Sequence, residues 1–424
     1  MRGPSMTDAG GETLDVEVLI VGGGLVGATL AAALAVNGVT VALIDREDPK
    51  TVLDAGFDGR ASAVAAGARH MLQAIGMWAE IDPHAQPIRW ITVSDGKVDR
   101  GAGPCKLHYD SRDVGEPFGH IVENRELRRA QQRFLAGLDA NLVHLAPMGV
   151  ERVVRRPHEV VADLADGRHV RARLVAACDG RNSRLRREAE IEVRSWGYEQ
   201  AAIVGTLTHE RAHRGVAYEH FLPAGPFAML PMVDGPDGEH RSSIVWTENR
   251  DLADRAVELS PEAFAEQIHR RFGDTHGAVT PVGPRFRYPL SALHATRYTA
   301  QRLALVGDSA HAIHPIAGQG LNMGFRDVAA FAQCIVEQRR LGLDVGSPEV
   351  LQRYERWRRL DNTTLVAATD GLNRLFATDL PPVRLARDLG LSAVDRMDPL
   401  KKVFMRHAMG MVGELPRLLR AQPL

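Results

Sequence analysis

Residues 307–327 read GDSAHAIHPIAGQGLNMGFRD. An apolar run, Leu303 to Val306, precedes them and a helical pattern begins near Asn322, so the stretch spells a buried strand's end, a loop and a helix start. An acid at a strand end followed by a glycine-rich loop into a helix N-terminus suits a polyhydroxylated, phosphate-bearing ligand. The carboxylate accepts bonds from hydroxyls, and the helix end offers free N–H groups and a partial positive charge. Asp308 and the amides near Gly320, Leu321 and Asn322 are the candidates. The same residues also read as an ordinary turn in which glycine supplies positive φ and Asn322 caps the helix.

A second unit near the N-terminus bears on the same question. Val16 to Val21 reads as a fully buried parallel strand, Gly22, Gly24 and Gly27 form GxGxxG, and an alanine-rich helix runs to about Val36. Val39 to Ile44 is the next strand and ends at Asp45. The glycines serve the tight turn, the approach of a pyrophosphate and helix–strand packing, and Asp45 lies where a ribose hydroxyl would sit, though it also reads as a plain turn residue. The span Val18 to Val36 carries no charge and nearly reaches membrane-spanning length, but its four glycines argue against one continuous helix.

A third strand end closes the pattern. Val150 to Cys178 alternates like an antiparallel meander with a turn at Asp166 and Gly167. It finishes in the apolar run Leu174 to Cys178, then Asp179, Gly180 and the basic residues Arg181 and Arg184. If the three strands share a sheet, the turns at Gly22, Asp179 and Asp308 converge.

Between these units, Gly56 to Trp78 reads as a turn and a helix, and Arg60 either reaches a bound phosphate or is a solvated helix-start arginine. Asp82 to Gly119 looks like an excursion with a short strand at Trp90 to Ser94, and Glu123 to Leu138 is helical. From Trp196 to Leu290 longer strands, interrupted by a helix at Pro261 to Phe272, indicate an inserted, mostly antiparallel domain. Phe221, Met229, Trp246 and Tyr288 are its candidate pocket residues; each also reads as core. The organisation expected is a disordered tail over 1–12 and a discontinuous Rossmann-like α/β domain from 13–81, 120–190 and 298–380. A β-sheet substrate domain takes 82–119 and 191–297, and C-terminal helices 381–424.

The chain has 424 residues, with 52 Lys plus Arg against 53 Asp plus Glu, so no field favours nucleic acid. Cys105, Cys178 and Cys334 are far apart and in no CxxC spacing, which suggests neither a disulfide framework nor a metal site. A reducing compartment fits. The tail from Leu400 to Leu419 mixes apolar and basic residues, a pattern suited to a membrane surface or to packing on its own domain.

Together VLIVGGGLVGATLAAALA ending in Asp45, the DG turn from Cys178 to Arg184, the GD stretch 307–327 and the pair FLPAGPFAMLP and SIVW resemble the FAD-dependent aromatic hydroxylases of the p-hydroxybenzoate hydroxylase fold. HPIAGQGLNMGFRD is similar to the ubiquinone-biosynthesis branch. The resemblance runs from about Val16 to beyond Ala330. It implies that Gly22, Gly24 and Gly27 cradle the FAD pyrophosphate, Asp45 binds the adenosine ribose, and Arg60, Asn124 and Arg125 lie near the cofactor. Asp179 and Gly180 would line the shared FAD and NAD(P)H region, and Asp308 would bind the ribityl chain. Pro315, Gly318, Gln319, Gly320, Leu321 and Asn322 would border the flavin ring.

The implied activity is hydroxylation of a prenylated phenol with O2, through a flavin C4a-hydroperoxide, with NAD(P)H or a protein electron donor as reductant. The implied location is cytoplasmic, peripheral to the inner membrane or to a biosynthetic complex. The same motifs admit a hydroxylase of a soluble aromatic compound, and a flavin-binding assembly subunit is the reading from another class. The residues leave the roles of His311 and His314 open.

Overall fold

The computed structural model describes residues 5–8, 12–54, 56–99, 101–313, 318–377 and 397–424. Its organising layer is a six-stranded sheet in the order Leu142–Leu145, Val41–Ile44, Val18–Val21, Leu174–Ala177, Leu303–Leu305, Thr299–Ala300. All neighbours pair parallel except the last. The strands VLIV, VALI, LVAA and LAL are apolar throughout because a parallel sheet is covered on both faces. One cover is the helix Leu25–Ala35, whose residues from Ala28 to Leu34 are fully buried. Small residues allow this depth: a Cβ on Gly324 of the helix Gln319–Arg340 would stand 2.6 Å from Val26.

The strands Val18–Val21, Leu174–Ala177 and Leu303–Leu305 are adjacent, and Val175 pairs with both Leu19 and Leu303. Since all three run the same way, the turns at Gly22, Asp179 and Gly307 leave one edge of the sheet side by side. The convergence expected from the sequence is present.

The second large layer is an eight-stranded sheet. Its centre is Val193–His209, paired with Val279–Ala295 and His240–Asn249, and the order continues through Gly225–Pro231 and Val216–Leu222 to Trp90–Lys97 and Gly101–Asp110. The strand expected at Trp90 to Ser94 is therefore longer and forms a hairpin. The helices Arg250–Val257 and Pro261–Phe272 cover one face, over a core of Phe227, Met229, Trp246, Phe264 and Phe272.

Three further differences from the sequence reading are local. Ala61–Ala65 is a strand rather than part of a turn, because pairing with Gly119–Glu123 overrides the weak β-propensity of alanine. Ser5–Asp8, expected in a disordered tail, pairs antiparallel with Glu12–Asp15, which otherwise leaves an open edge of the meander sheet. Of the C-terminal helices expected over 381–424, residues 397–424 contain the helix Asp398–Ala408 and a 3₁₀ turn at Arg417–Arg420; 381–396 lie outside the described residues. No helix among the described residues is long and apolar enough to cross a membrane.

Candidate active site

A cleft of about 380 Å³ opens where the three turns meet. Gly24 to Gly27, Cys178, Gly180, Arg181, Asp308, His311, Gly320 and Leu321 line it. In the first turn Gly22 adopts φ +104° and donates its N–H to the Ile44 carbonyl at 2.9 Å, turning the chain hard against the second strand. Gly24 then caps the helix Leu25–Ala35 in extended geometry, and the first helical turn carries no acid. The helix end is thus open to an anion. Asp45 stands beside this turn, half-buried, its Oδ1 accepting from the Glu47 N–H at 3.1 Å.

In the second turn Asp179 uses Oδ2 to accept from the Arg184 N–H at 2.8 Å, while its Oδ1 is buried with no partner among the described residues. The arginines that follow have mostly structural duties. Arg186, buried, donates to the carbonyls of Ser309 and Arg181 and so ties the second turn to the third. Arg184 donates to the Val150 carbonyl and pairs with Glu188. Arg181 alone of the three faces the cleft.

In the third turn Ser309 donates through Oγ to the Ala177 carbonyl at 2.6 Å, fastening the loop to the neighbouring strand. Asp308 is left facing the open cleft, reached by water yet walled by protein. That desolvation raises its carboxyl pKa, against the opposing pull of His311 and Arg181. Gly318, at φ +61°, starts the helix Gln319–Arg340, whose first turn also lacks an acid. His314 and Pro315 lie outside the described residues.

Asn322 is not the cap. Its buried amide donates to the Ala63 carbonyl and accepts from the Ala65 N–H at 2.8 Å, bracing the strand Ala61–Ala65 against the helix head. Only its backbone remains for a ligand. Gln319, expected to line the site, donates its amide to the Ala408 carbonyl at 3.2 Å.

Three residues expected near the cofactor hold protein partners and do not line the cleft. Arg60 donates through Nε and Nη2 to one oxygen of Asp58, at 2.9 and 2.6 Å, and lies 5.1 Å from the Phe286 ring centre. Arg125 pairs with Glu123 and Glu126, and the Asn124 side chain accepts from Ser62. Of the four pocket candidates, Phe221 and Tyr288 sit on the sheet face away from the covering helices. Met229 and Trp246, at 0 % and 2 % exposure, sit on the face beneath those helices. The register fixes this: Trp246 pairs with Phe227 and Ile203, which puts the next residue along each strand, and hence Tyr288 and Phe221, on the other side. Met229 and Trp246 are corrected to core.

Sequence reasoning missed the network behind the third turn. Asp327, fully buried, accepts from His311 Nε2 at 2.5 Å and the Gly307 N–H at 3.1 Å on one oxygen, and from Arg358 and Asn362 on the other. It also missed Trp196, which packs with Ile313 and Met323 at the cleft. The acid closing the 307–327 stretch was the available signal for the first; nothing marked Trp196.

The cleft fits a flavin dinucleotide by its own geometry. Side chains added at Gly24, Gly180 or Gly320 would meet no protein atom within 4 Å, so these positions leave ligand space, and the orphaned Asp179 oxygen awaits a donor. The family described as FAD binding domain matches residues 15–369. A ubiquinone hydroxylase, UbiL, of Rhodospirillum rubrum is 52% identical over 411 residues, covering 96% of this chain and 93% of that protein. The 3-demethoxyubiquinol 3-hydroxylase of Escherichia coli is 32% identical over 400 residues, covering 93% and 98%. Among solved structures, p-nitrophenol 4-monooxygenase PnpA of Pseudomonas putida shares the fold at TM-score 0.78 and 18% identity, over 95% of this chain and 100% of that one. With the glycine turn, the DG turn and the GD turn joined at one sheet edge, this chain belongs to the FAD-dependent monooxygenases of the aromatic hydroxylase family.

Proposed function

We propose that the enzyme hydroxylates the aromatic ring of a polyprenyl phenol on the way to ubiquinone, using O2 and a reductant that is NAD(P)H or a protein electron donor. The observation that carries this reading is the 52% identity, along nearly the whole chain, to a ubiquinone hydroxylase. FAD, when bound, supplies the oxygen activation.

The residues around the cleft bind, orient and keep dry. Gly24 and the head of the Leu25–Ala35 helix receive the pyrophosphate, Asp45 the ribose, and Asp308 the ribityl hydroxyls. The N-terminal amides of the Gln319–Arg340 helix would offer donors and a positive helix end to a bound flavin ring. Ala61, Ala63, Leu230, Met232, Met405 and Met409 form an apolar layer between that helix head and the large sheet, which excludes water from the neighbourhood of the ring. Phe221 and Tyr288 are proposed as substrate-side residues of the same face. Association with a membrane or a biosynthetic complex follows from the poor solubility of such a substrate.

Asp308→Ala is expected to lower FAD affinity about tenfold or more by removing a charged acceptor, while the apoprotein's thermal midpoint falls little. Full flavin retention after gel filtration would overturn the role of Asp308. The substrate reading is tested by lipid extraction from cells lacking the gene, complemented with the parent or the Asp308→Ala chain. An under-hydroxylated prenylated phenol, removed by the parent alone, is expected, and its mass and fragmentation identify the missing hydroxyl. Normal ubiquinone in the deletion strain would sink the reading.

A further inference from the structure

We infer that the outward face of the helix Asp398–Ala408 is a docking surface for an anionic phospholipid bilayer, positioned to pass a lipid-dissolved substrate to the apolar layer behind it. The second clause rests on the polyprenyl reading; the docking itself does not.

The helix has two apolar sides. Inward, Met405 and Met409 are 1 % and 2 % exposed and pack with Ala63, Ala66, Leu230 and Met232. The backbone there is pinned: Met409 accepts from the Gly67 N–H at 3.0 Å, Ala408 from Gln319, and Val412 from Arg326. This inner side therefore sits directly on the head of the Gln319–Arg340 helix. Outward, Val403 and Phe404 are 56 % and 47 % exposed, and Met397, just before the helix, is 53 % exposed. A fold that needed only the inner stripe has no use for this second one.

Charge selects the occupant. From the start of the helix, residues 398–412, DPLKKVFMRHAMGMV, contain three basic residues against one acid in a chain of net charge −1. Lys402 and Arg406 are exposed beside Val403. A second copy of the chain meeting this face about a twofold axis would set Lys402 and Arg406 against their own like charges. A bilayer surface with anionic headgroups satisfies both features: apolar side chains enter the acyl boundary while the basic ones meet phosphates. A helix lying so, with its other side on the site's apolar layer, gives a prenyl chain a route from lipid to ring-binding region without crossing water.

The test is flotation of the FAD-loaded full chain with vesicles of phosphatidylcholine alone and of phosphatidylcholine with phosphatidylglycerol. The parent is expected to float with the anionic vesicles and to partition about tenfold or more less onto the neutral ones. Val403→Asp with Phe404→Asp should lower partition onto anionic vesicles about tenfold or more. Lys402→Glu with Arg406→Glu should abolish the preference between the two vesicles. Flavin absorbance and thermal midpoint report folding, and the milder Phe404→Ser repeats the apolar test if the double variant loses either.

Absence of vesicle binding by the parent, or equal binding by parent and variants, overturns the docking surface. Docking with normal ubiquinone in the deletion strain leaves the surface standing and removes the substrate. No docking with an accumulated prenylated phenol does the reverse.

Discussion

Asp327→Ala is expected to lower stability by about 3–5 kcal/mol, the range for breaking a buried ion pair by removing one partner, and to loosen the turn that carries Asp308. The carboxylate has no exposure and accepts four bonds, from Gly307, His311, Arg358 and Asn362. Arg358 is buried with it and also donates to Asp361 at 2.5 Å and Asn362 at 2.8 Å. Alanine would leave that guanidinium in the interior with only Asp361, itself partly exposed, to balance it. Because Gly307 is one of the four donors, the damage reaches the cofactor side: its N–H loses the anchor holding the turn at the strand end. A lower urea midpoint with an unchanged slope, together with reduced flavin content, is the expected result; a variant as stable as the parent would show that the network contributes nothing net.

The same pair predicts an acid limb. Burial pushes the Asp327 carboxyl pKa up, but the adjacent His311 and Arg358, through charge and hydrogen bonds, outweigh this and hold it far below the ordinary carboxylate range. A depressed folded pKa gives stability that is complete above the unfolded value, about 4, and is lost as pH falls toward the folded one. In Asp327→Asn the stability curve should therefore be flatter below about pH 4 than in the parent. Equal acid slopes in unfolding titrations at matched ionic strength would contradict the assignment.

The parts of this molecule legible in the sequence are those where local pattern and global position coincide. Three short apolar runs, ending at Gly22, at Asp179-Gly180 and at Gly307-Asp308, read as buried strands, and parallel strands bring their ends to one edge. On the condition of a shared sheet the turns at Gly22, Asp179 and Asp308 converge, and the pairing of the strands meets that condition. Where a residue's role depends on which neighbours its side chain meets, near or far in the chain, the pattern says less. Arg60 and Arg125 look free in sequence, but Asp58 two residues away and Glu123 and Glu126 beside the helix start already hold them. Met229 and Trp246 belong to strands apolar on both faces, so alternation could not say which side meets helices and which meets the cleft. Arg358 sits in the run RYERWRRLDN, which reads as a solvated helix face; only the packing of that helix against the Gln319–Arg340 helix brings it to Asp327. Ala61–Ala65 carries no strand signal at all, and its partner strand makes it one.

Gly27→Ala should disable cofactor binding through the fold, and Gly24→Ala should do so with the fold intact. A Cβ on Gly27 would stand 1.9 Å from the Gly22 carbonyl oxygen and 3.0 Å from the Cys178 Cβ. Both neighbours are fixed, the first by the turn and the second by the strand Leu174–Ala177, so the helix Leu25–Ala35 must shift away from the sheet. Overpacking of that kind costs about 1–3 kcal/mol. It also displaces the helix end proposed to receive the pyrophosphate. At Gly24 the added methyl meets no protein atom within 4 Å, and the backbone there is ordinary for any residue, with φ −63°. Its methyl would enter only the open cleft. The expected pattern is a lowered melting temperature and little bound flavin in Gly27→Ala, against a parental melting temperature of the apoprotein and an FAD affinity reduced about tenfold or more in Gly24→Ala, since 1.4 kcal/mol of steric loss suffices for that factor. Differential scanning of the apoproteins and fluorescence titration with FAD separate the two effects. Parental FAD affinity in Gly24→Ala would mean that the pyrophosphate does not pass over this turn, and the cleft at the three strand ends would have to be reassigned.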